Sequence, residues 1–112
     1  MKTITDDDMR QMIATTREFA AVILRHGPRH GEPGAAPIIW EHGRRNFALR
    51  AEGLLRIVCP IRDASNVAGI GIFAGSVDEI DRLMREDPAV KAGVLVHEVH
   101  PCRSFPGDAL PP

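Results

Sequence analysis

The sequence predicts a single α+β domain: an extra N-terminal helix, then strand, helix, two strands, helix and strand. Three observations carry this. Ser76-Val77-Asp78-Glu79 fits S-x-x-E, in which each side chain serves the other's backbone N–H, so it opens a helix. Asp87-Pro88 stops that helix, and a short turn ending at Gly93 leads into the strand-like run Val94–Val99. Upstream, the apolar runs Phe19–Leu24, Leu54–Ile61 and Val67–Ala74 are of strand length and are bounded by Gly, Pro, Asp and Asn.

The remaining elements follow in order. Thr5 caps a helix whose first turn, Asp6-Asp7-Asp8, suits the positive helix end. Met9, Met12, Ile13 and Thr16 keep helical spacing, which carries this helix to about Thr15. His26–Pro37, HGPRHGEPGAAP, is a loop longer than the usual connection. Pro37 is suited to a first helical position. Ile39, Gly43, Phe47, Ala51 and Leu54 then give an apolar stripe, with Glu41, Arg44, Arg45 and Glu52 on the far side and Gly53 at the exit. Asp63–Asn66 turns between two strands of a hairpin. Gly69-Ile70-Gly71 lies inside a strand and lacks the following helix that dinucleotide binding needs; it permits close packing.

After the first helix the order βαββαβ is a ferredoxin-like split unit. Residues 1–112 form one domain, with 1–17 a helical extension, 18–105 the core and 106–112 a Gly- and Pro-rich tail. Phe19–Leu24 and Val67–Ala74 are apolar at both parities, so the sheet needs cover on both faces. Two helices cover one face. A second copy is the economical cover for the other, with the N-terminal helix the alternative.

Composition narrows the function classes. Hydrophobic residues make up 44% and charged residues 26%, which is globular rather than disordered composition. A net charge of −1 supplies no basic footprint for nucleic acid. No apolar run approaches a membrane span, and the acidic start lacks a signal core, so a cytoplasmic protein is expected. Two cysteines, Cys59 and Cys102, make no disulfide framework and read as free thiols. Only Lys2 and Lys91 of the 14 basic residues are lysine; arginine suits small anions, though genomic base composition gives the same bias.

The stretch SVDEIDRLMREDPAVKAGVLVHEVHP, from Ser76 to Pro101, resembles the C-terminal half of the YCII-related family, and the resemblance extends over roughly Phe19 to Arg103. It implies a ferredoxin-like subunit that pairs face to face into a dimeric α+β barrel with a cleft beside the helices. It also implies a polar pair: a helix His, matched by His42 in WEHGRRNF, and an Asp after the second strand, matched by Asp63 in CPIRD. Where the family has Gly before that Pro this chain has Cys59, and where it often has Arg before the His this chain has Ile39.

The resemblance gives His42 the role of acid/base and Asp63 that of orienting its ring. Asn46, one turn on from His42, joins the cleft as a ligand contact. His26 and His30 share H-x-x-x-H spacing but are split by Gly27-Pro28 in a loop, which suits a polar cleft rim better than a metal site. Trp40, the one Trp, is a packing anchor that can also line a cleft for an aromatic compound. His97 and His100 have opposite parity, so only one faces the sheet interior. The function expected is cofactor-free, metal-free proton transfer of the lyase or isomerase kind on a small organic molecule. The alternative is a non-catalytic ligand-binding or assembly module on the same homodimeric barrel.

Overall fold

The computed structural model describes residues 1–112. Its elements are α1 (Asp6–Ala14), β1 (Arg17–His26), α2 (Ala35–Ala51), β2 (Leu55–Pro60), β3 (Val67–Phe73), α3 (Val77–Arg85), α4 (Pro88–Lys91) and β4 (Leu95–Ser104). The four strands form one antiparallel sheet in the order β2-β3-β1-β4. This is the ferredoxin-like split unit, and no helix is long and apolar enough to cross a membrane.

Register sorts the side chains between two faces. Ala20, Val22 and Leu24 of β1 lie level with Phe73, Gly71 and Gly69 of β3, and with Pro101, Val99 and His97 of β4. This face meets the helices. Its core is Ala20, Val22, Leu24, Leu49, Leu55, Phe73, Ile80, Met84, Ala89, Val94 and Leu95, with Ala35 at the start of α2. The alternate residues Ala21, Ile23, Ile57, Ile70, Ile72 and Val96 line the other face, which nothing in the chain buries. The N-terminal helix leaves it open, since α1 has no buried residue.

Local signals explain the helix ends. Thr5 and Asp8 form a reciprocal capping box, with the Asp8 N–H donating to Thr5 Oγ1 at 3.1 Å and the Thr5 N–H donating to Asp8 Oδ2 at 3.0 Å. At Ser76 only the forward half of the expected box forms: the Glu79 N–H donates to Ser76 Oγ at 3.2 Å. Asp87-Pro88 ends α3 as expected, yet it also starts the short α4, with Asp87 as cap and Pro88 in its first turn.

Two expectations for α2 are corrected. The helix starts at Ala35, before Pro37. Its predicted apolar stripe is also not buried in the core: Ile39 is 40% and Phe47 66% exposed, whereas Leu49 is buried and Arg45 faces inward. The inward arc is Ile38, His42, Arg45 and Leu49, spaced by four, three and four residues. Polar His42 and Arg45 therefore occupy a row that hydrophobicity assigns to solvent.

The long β1–α2 loop is tied to the α4–β4 junction. The Gly27 N–H donates to Val94 O at 2.8 Å and the Arg29 N–H donates to Gly93 O at 3.0 Å. A Cβ at Gly27 would overlap the Gly93 carbonyl, so only glycine allows this approach. Gly93 itself has φ 73°, the left-handed conformation that turns the chain from α4 into β4.

Candidate functional site

Between α2 and the helix-facing side of the sheet lies a cavity of about 440 Å³. Gly69 of β3, level with Leu24 of β1, puts no side chain into the layer and leaves room in the floor, whereas the Phe73 and Leu55 side chains close over Gly71. Val22, Leu24, Leu55, Val58, Phe73 and Met84 supply most of the apolar wall. The polar side chains of the lining are His26, His30, His42 and Asn46; no Lys, Arg, Asp or Glu lines it.

His42 is held from both sides. Its Nδ1 lies 2.7 Å from Asp87 Oδ2, and its Nε2 lies 3.2 Å from Asn46 Nδ2. Asp87 is acceptor-only when ionised, so the contact makes Nδ1 the protonated nitrogen. Nε2 is then the acceptor for the Asn46 amide; His42 and Asn46 both line the cavity, and Asp87 does not. The His42 side chain is 11% exposed and Asp87 is 0% exposed.

Asp87 serves more than the imidazole. Its Oδ1 accepts the Ala89 N–H at 2.9 Å and the Val90 N–H at 3.3 Å, which caps α4. Arg45 brings Nη1 to 3.6 Å from Asp87 Oδ2, while its Nη2 donates to Leu83 O at 2.6 Å at the end of α3. Nη1 is buried without a hydrogen-bond acceptor, so its effect on Asp87 is that of a nearby charge. Burial pushes the Asp87 carboxyl up. The His42 hydrogen bond and charge and the two backbone donors outweigh that and hold it below the usual carboxylate range.

The structure does not join Asp63 to His42. Asp63 is exposed in the β2–β3 turn, where its Oδ1 accepts the Ser65 N–H at 2.9 Å, and it does not line the cavity. An Asx-type turn accounts for it. The carboxylate beside His42 is Asp87. The signal for Asp87 was present as Asp-Pro, a cap followed by a first-turn Pro, but its partner is 45 residues away in the chain.

His26 and His30 sit on the cavity wall with ring centroids 4.7 Å apart, and Asn46 lines it beside His42. Trp40 does not: it is 71% exposed on the outer side of α2. His97 faces the helices and meets Asp81 of α3 at 2.8 Å, while His100 is exposed and pairs with Glu98. No group of three or more His, Cys, Asp or Glu side chains is placed to hold a metal ion. Cys59 and Cys102 are free thiols.

No protein-family model matches the sequence, and a search of curated proteins finds no match. Among solved structures the chain is similar to 5-chloro-2-hydroxyhydroquinone dehydrochlorinase from Burkholderia phenoliruptrix, in complex with 2,5-dihydroxybenzoquinone. The two are 21% identical over 72% of this chain and 90% of that chain, with a TM-score of 0.49.

Asp87 is the fully buried one of six carboxyls held below their usual range, and it contributes to the acid behaviour of the fold. Its folded pKa is depressed, so its contribution to stability is present above the unfolded value of ~3.9 and is lost as pH falls through the folded value. Asp87→Ala removes a helix cap and a buried counter-charge together and is expected to cost about 3–5 kcal/mol. Asp87→Asn keeps a cap-competent side chain, so it is expected to cost less and to flatten the loss of stability on acidification. Chemical denaturation across the acid range checks both; an Asp87→Asn profile as steep as the parent's contradicts the assignment.

Proposed function

We propose that the cavity is an acid/base site for a small, uncharged, largely apolar organic molecule, with His42 moving the proton and Asp87 fixing its ring. The observation that carries this is the order of contacts along one line: Asp87 Oδ2, His42 Nδ1, His42 Nε2 and the Asn46 amide on the cavity wall. That order presents a basic nitrogen to an apolar chamber and supplies a buried anion for the imidazolium that proton uptake creates.

The chemistry is that of a lyase or isomerase. His42 Nε2 takes a proton from a carbon made acidic by a neighbouring carbonyl or unsaturated ring, and the C–H electron pair enters the π system. In elimination that pair expels a leaving group, which departs with its own bonding pair. In isomerisation His42 returns the proton to a different carbon. Asn46 turns from Nε2 to a substrate oxygen, and His26 and His30 are the other polar groups within the cavity. With no charged side chain in the lining, an ionic substrate finds no counter-charge there.

A non-catalytic ligand-binding module is the second reading, favoured by the Asn46 amide that already occupies Nε2. Native mass spectrometry against a panel of uncharged aromatic and unsaturated carbonyl compounds separates the two. The acid/base reading predicts a bound compound whose turnover is lost in His42→Gln while binding persists. Gly69→Val, which adds a side chain to the cavity floor, is expected to abolish binding itself. A compound bound but chemically unchanged supports the module, and turnover retained in His42→Gln overturns the role given to His42.

We also propose that the open face of the sheet pairs with the same face of a second copy, closing a dimeric α+β barrel. Ile23, Ile57, Ile70 and Ile72 make it a contiguous apolar surface of the kind a monomer seldom exposes. The mass in solution is expected at two chains or an even multiple, and Ile72→Glu is expected to halve it. A parent mass of one chain, 12.3 kDa, at micromolar concentration contradicts the pairing.

A further inference from the structure

Helix α1 is folded, yet nothing in its own chain holds it. It spans nine residues, none of them buried. The molecule measures 55 × 29 × 25 Å with a radius of gyration of 16.3 Å, against the ~13 Å of a compact chain of about 100 residues. The helix projects. Isolated helices shorter than about 12–15 residues are marginal in water, and most helical stability in proteins comes from packing an amphipathic face. Here that face is Met9, Met12 and Ile13, and each of the three is exposed.

The chain carries an outward surface that fits it. On α2, Ala36, Trp40, Gly43, Phe47 and Ala51 recur at steps of four, three, four and four, the spacing of a helix-packing seam. Trp40 and Phe47 are 71% and 66% exposed, and Gly43 between them opens a hole with nothing within 4 Å of a Cβ placed there. A methionine or isoleucine knob has a hole to enter and two aromatic rings to lie against.

Charge favours the same match. The first turn of α1 is Asp6-Asp7-Asp8 and its last turn has no basic residue. The seam on α2 is flanked by Arg44 and ends at Arg50, which makes no ion pair within the chain. Set antiparallel, the acidic start of α1 falls beside the arginine-bearing end of α2, and the two helix dipoles oppose favourably.

The α1–β1 junction argues against a fold-back onto its own α2. Thr15 Oγ1 donates to Met12 O at 2.7 Å and Thr16 Oγ1 to Ile13 O at 2.8 Å, and β1 begins at Arg17. No slack segment lies between helix and strand. We propose that α1 of one copy docks on the Trp40–Gly43–Phe47 seam of a second copy. Gly43 and Phe47 also line the cavity, so the docked helix covers its α2 rim and a neighbouring chain helps enclose the site.

Trp40 reports this directly, because the chain has one Trp and no Tyr. Two full-length variants are mixed. Met12→Asp/Ile13→Asp keeps Trp40 but spoils the apolar face of α1. Trp40→Phe keeps α1 and an aromatic seam but does not emit as Trp. Neither change touches the core, and circular dichroism confirms that both fold. Emission of the first variant alone is expected to be red-shifted from the parent and to move back toward the blue when the second is added. Asp7→Lys/Asp8→Lys in the added chain is expected to weaken that return, and Arg44→Glu/Arg50→Glu in the Trp40-bearing chain to restore it. Parent emission equal to that of the α1 variant overturns the docking. A parent shift that the added chain cannot restore overturns docking between copies.

Discussion

The carboxylate of Asp87 is the point at which the helical layer is joined. One oxygen caps α4 through two backbone N–H groups; the other meets His42 from α2 and lies near the Arg45 guanidinium. Arg45 in turn takes the Leu83 carbonyl at the end of α3. Three helices are thus referred to one buried anion, and burying an anion is costly unless it is paired and hydrogen-bonded. That condition explains why a His and an Arg occupy the inward row of α2, where Ile38 and Leu49 show that an apolar residue would otherwise sit. It also couples structure to chemistry, since the group that caps α4 is the one that sets which His42 nitrogen holds the proton.

The cavity depends on what is missing from the sheet. Gly69 leaves the layer unfilled beside Leu24, while Phe73 and Leu55 close over Gly71 at one end. The loop bearing His30 is pinned by Gly27 against the Gly93 carbonyl, so His30, beside His26 at the end of β1, has a fixed address on the wall. A chamber built this way is apolar with a few convergent polar groups, the usual form of a small-molecule site.

Much of the fold was legible because its signals are local. Thr5 and Ser76 mark helix starts by side-chain chemistry, Asp87-Pro88 marks a helix stop, and the apolar runs fix the strands within a few residues; the short α4 that Asp87 caps stands where the sequence predicts a turn. Of the residues that the sequence singles out, the structure brings His42, Asn46, His26 and His30 to one cavity. Asp63 is not among them: its turn chemistry is local and complete with Ser65, so nothing in the chain drives it toward His42. Asp87 was hidden because capping announces itself in neighbouring residues, whereas pairing with His42 depends on how α2 packs against α4. The facing of α2 was misread for a related reason. Counting hydrophobic residues favours Phe47 and Ile39 as its buried side, yet the Asp87 anion demands His42 and Arg45 inside.

Acid/base chemistry in the cavity requires that His42 donate from Nδ1 to Asp87 and keep Nε2 free of a proton. Nitrogen-15 NMR of the imidazole measures this without any ligand. The predicted result is a proton on Nδ1 of the neutral ring, shifted far downfield by the carboxylate and lost from that position in Asp87→Asn. A neutral His42 ring protonated at Nε2, with Nδ1 bare, contradicts it.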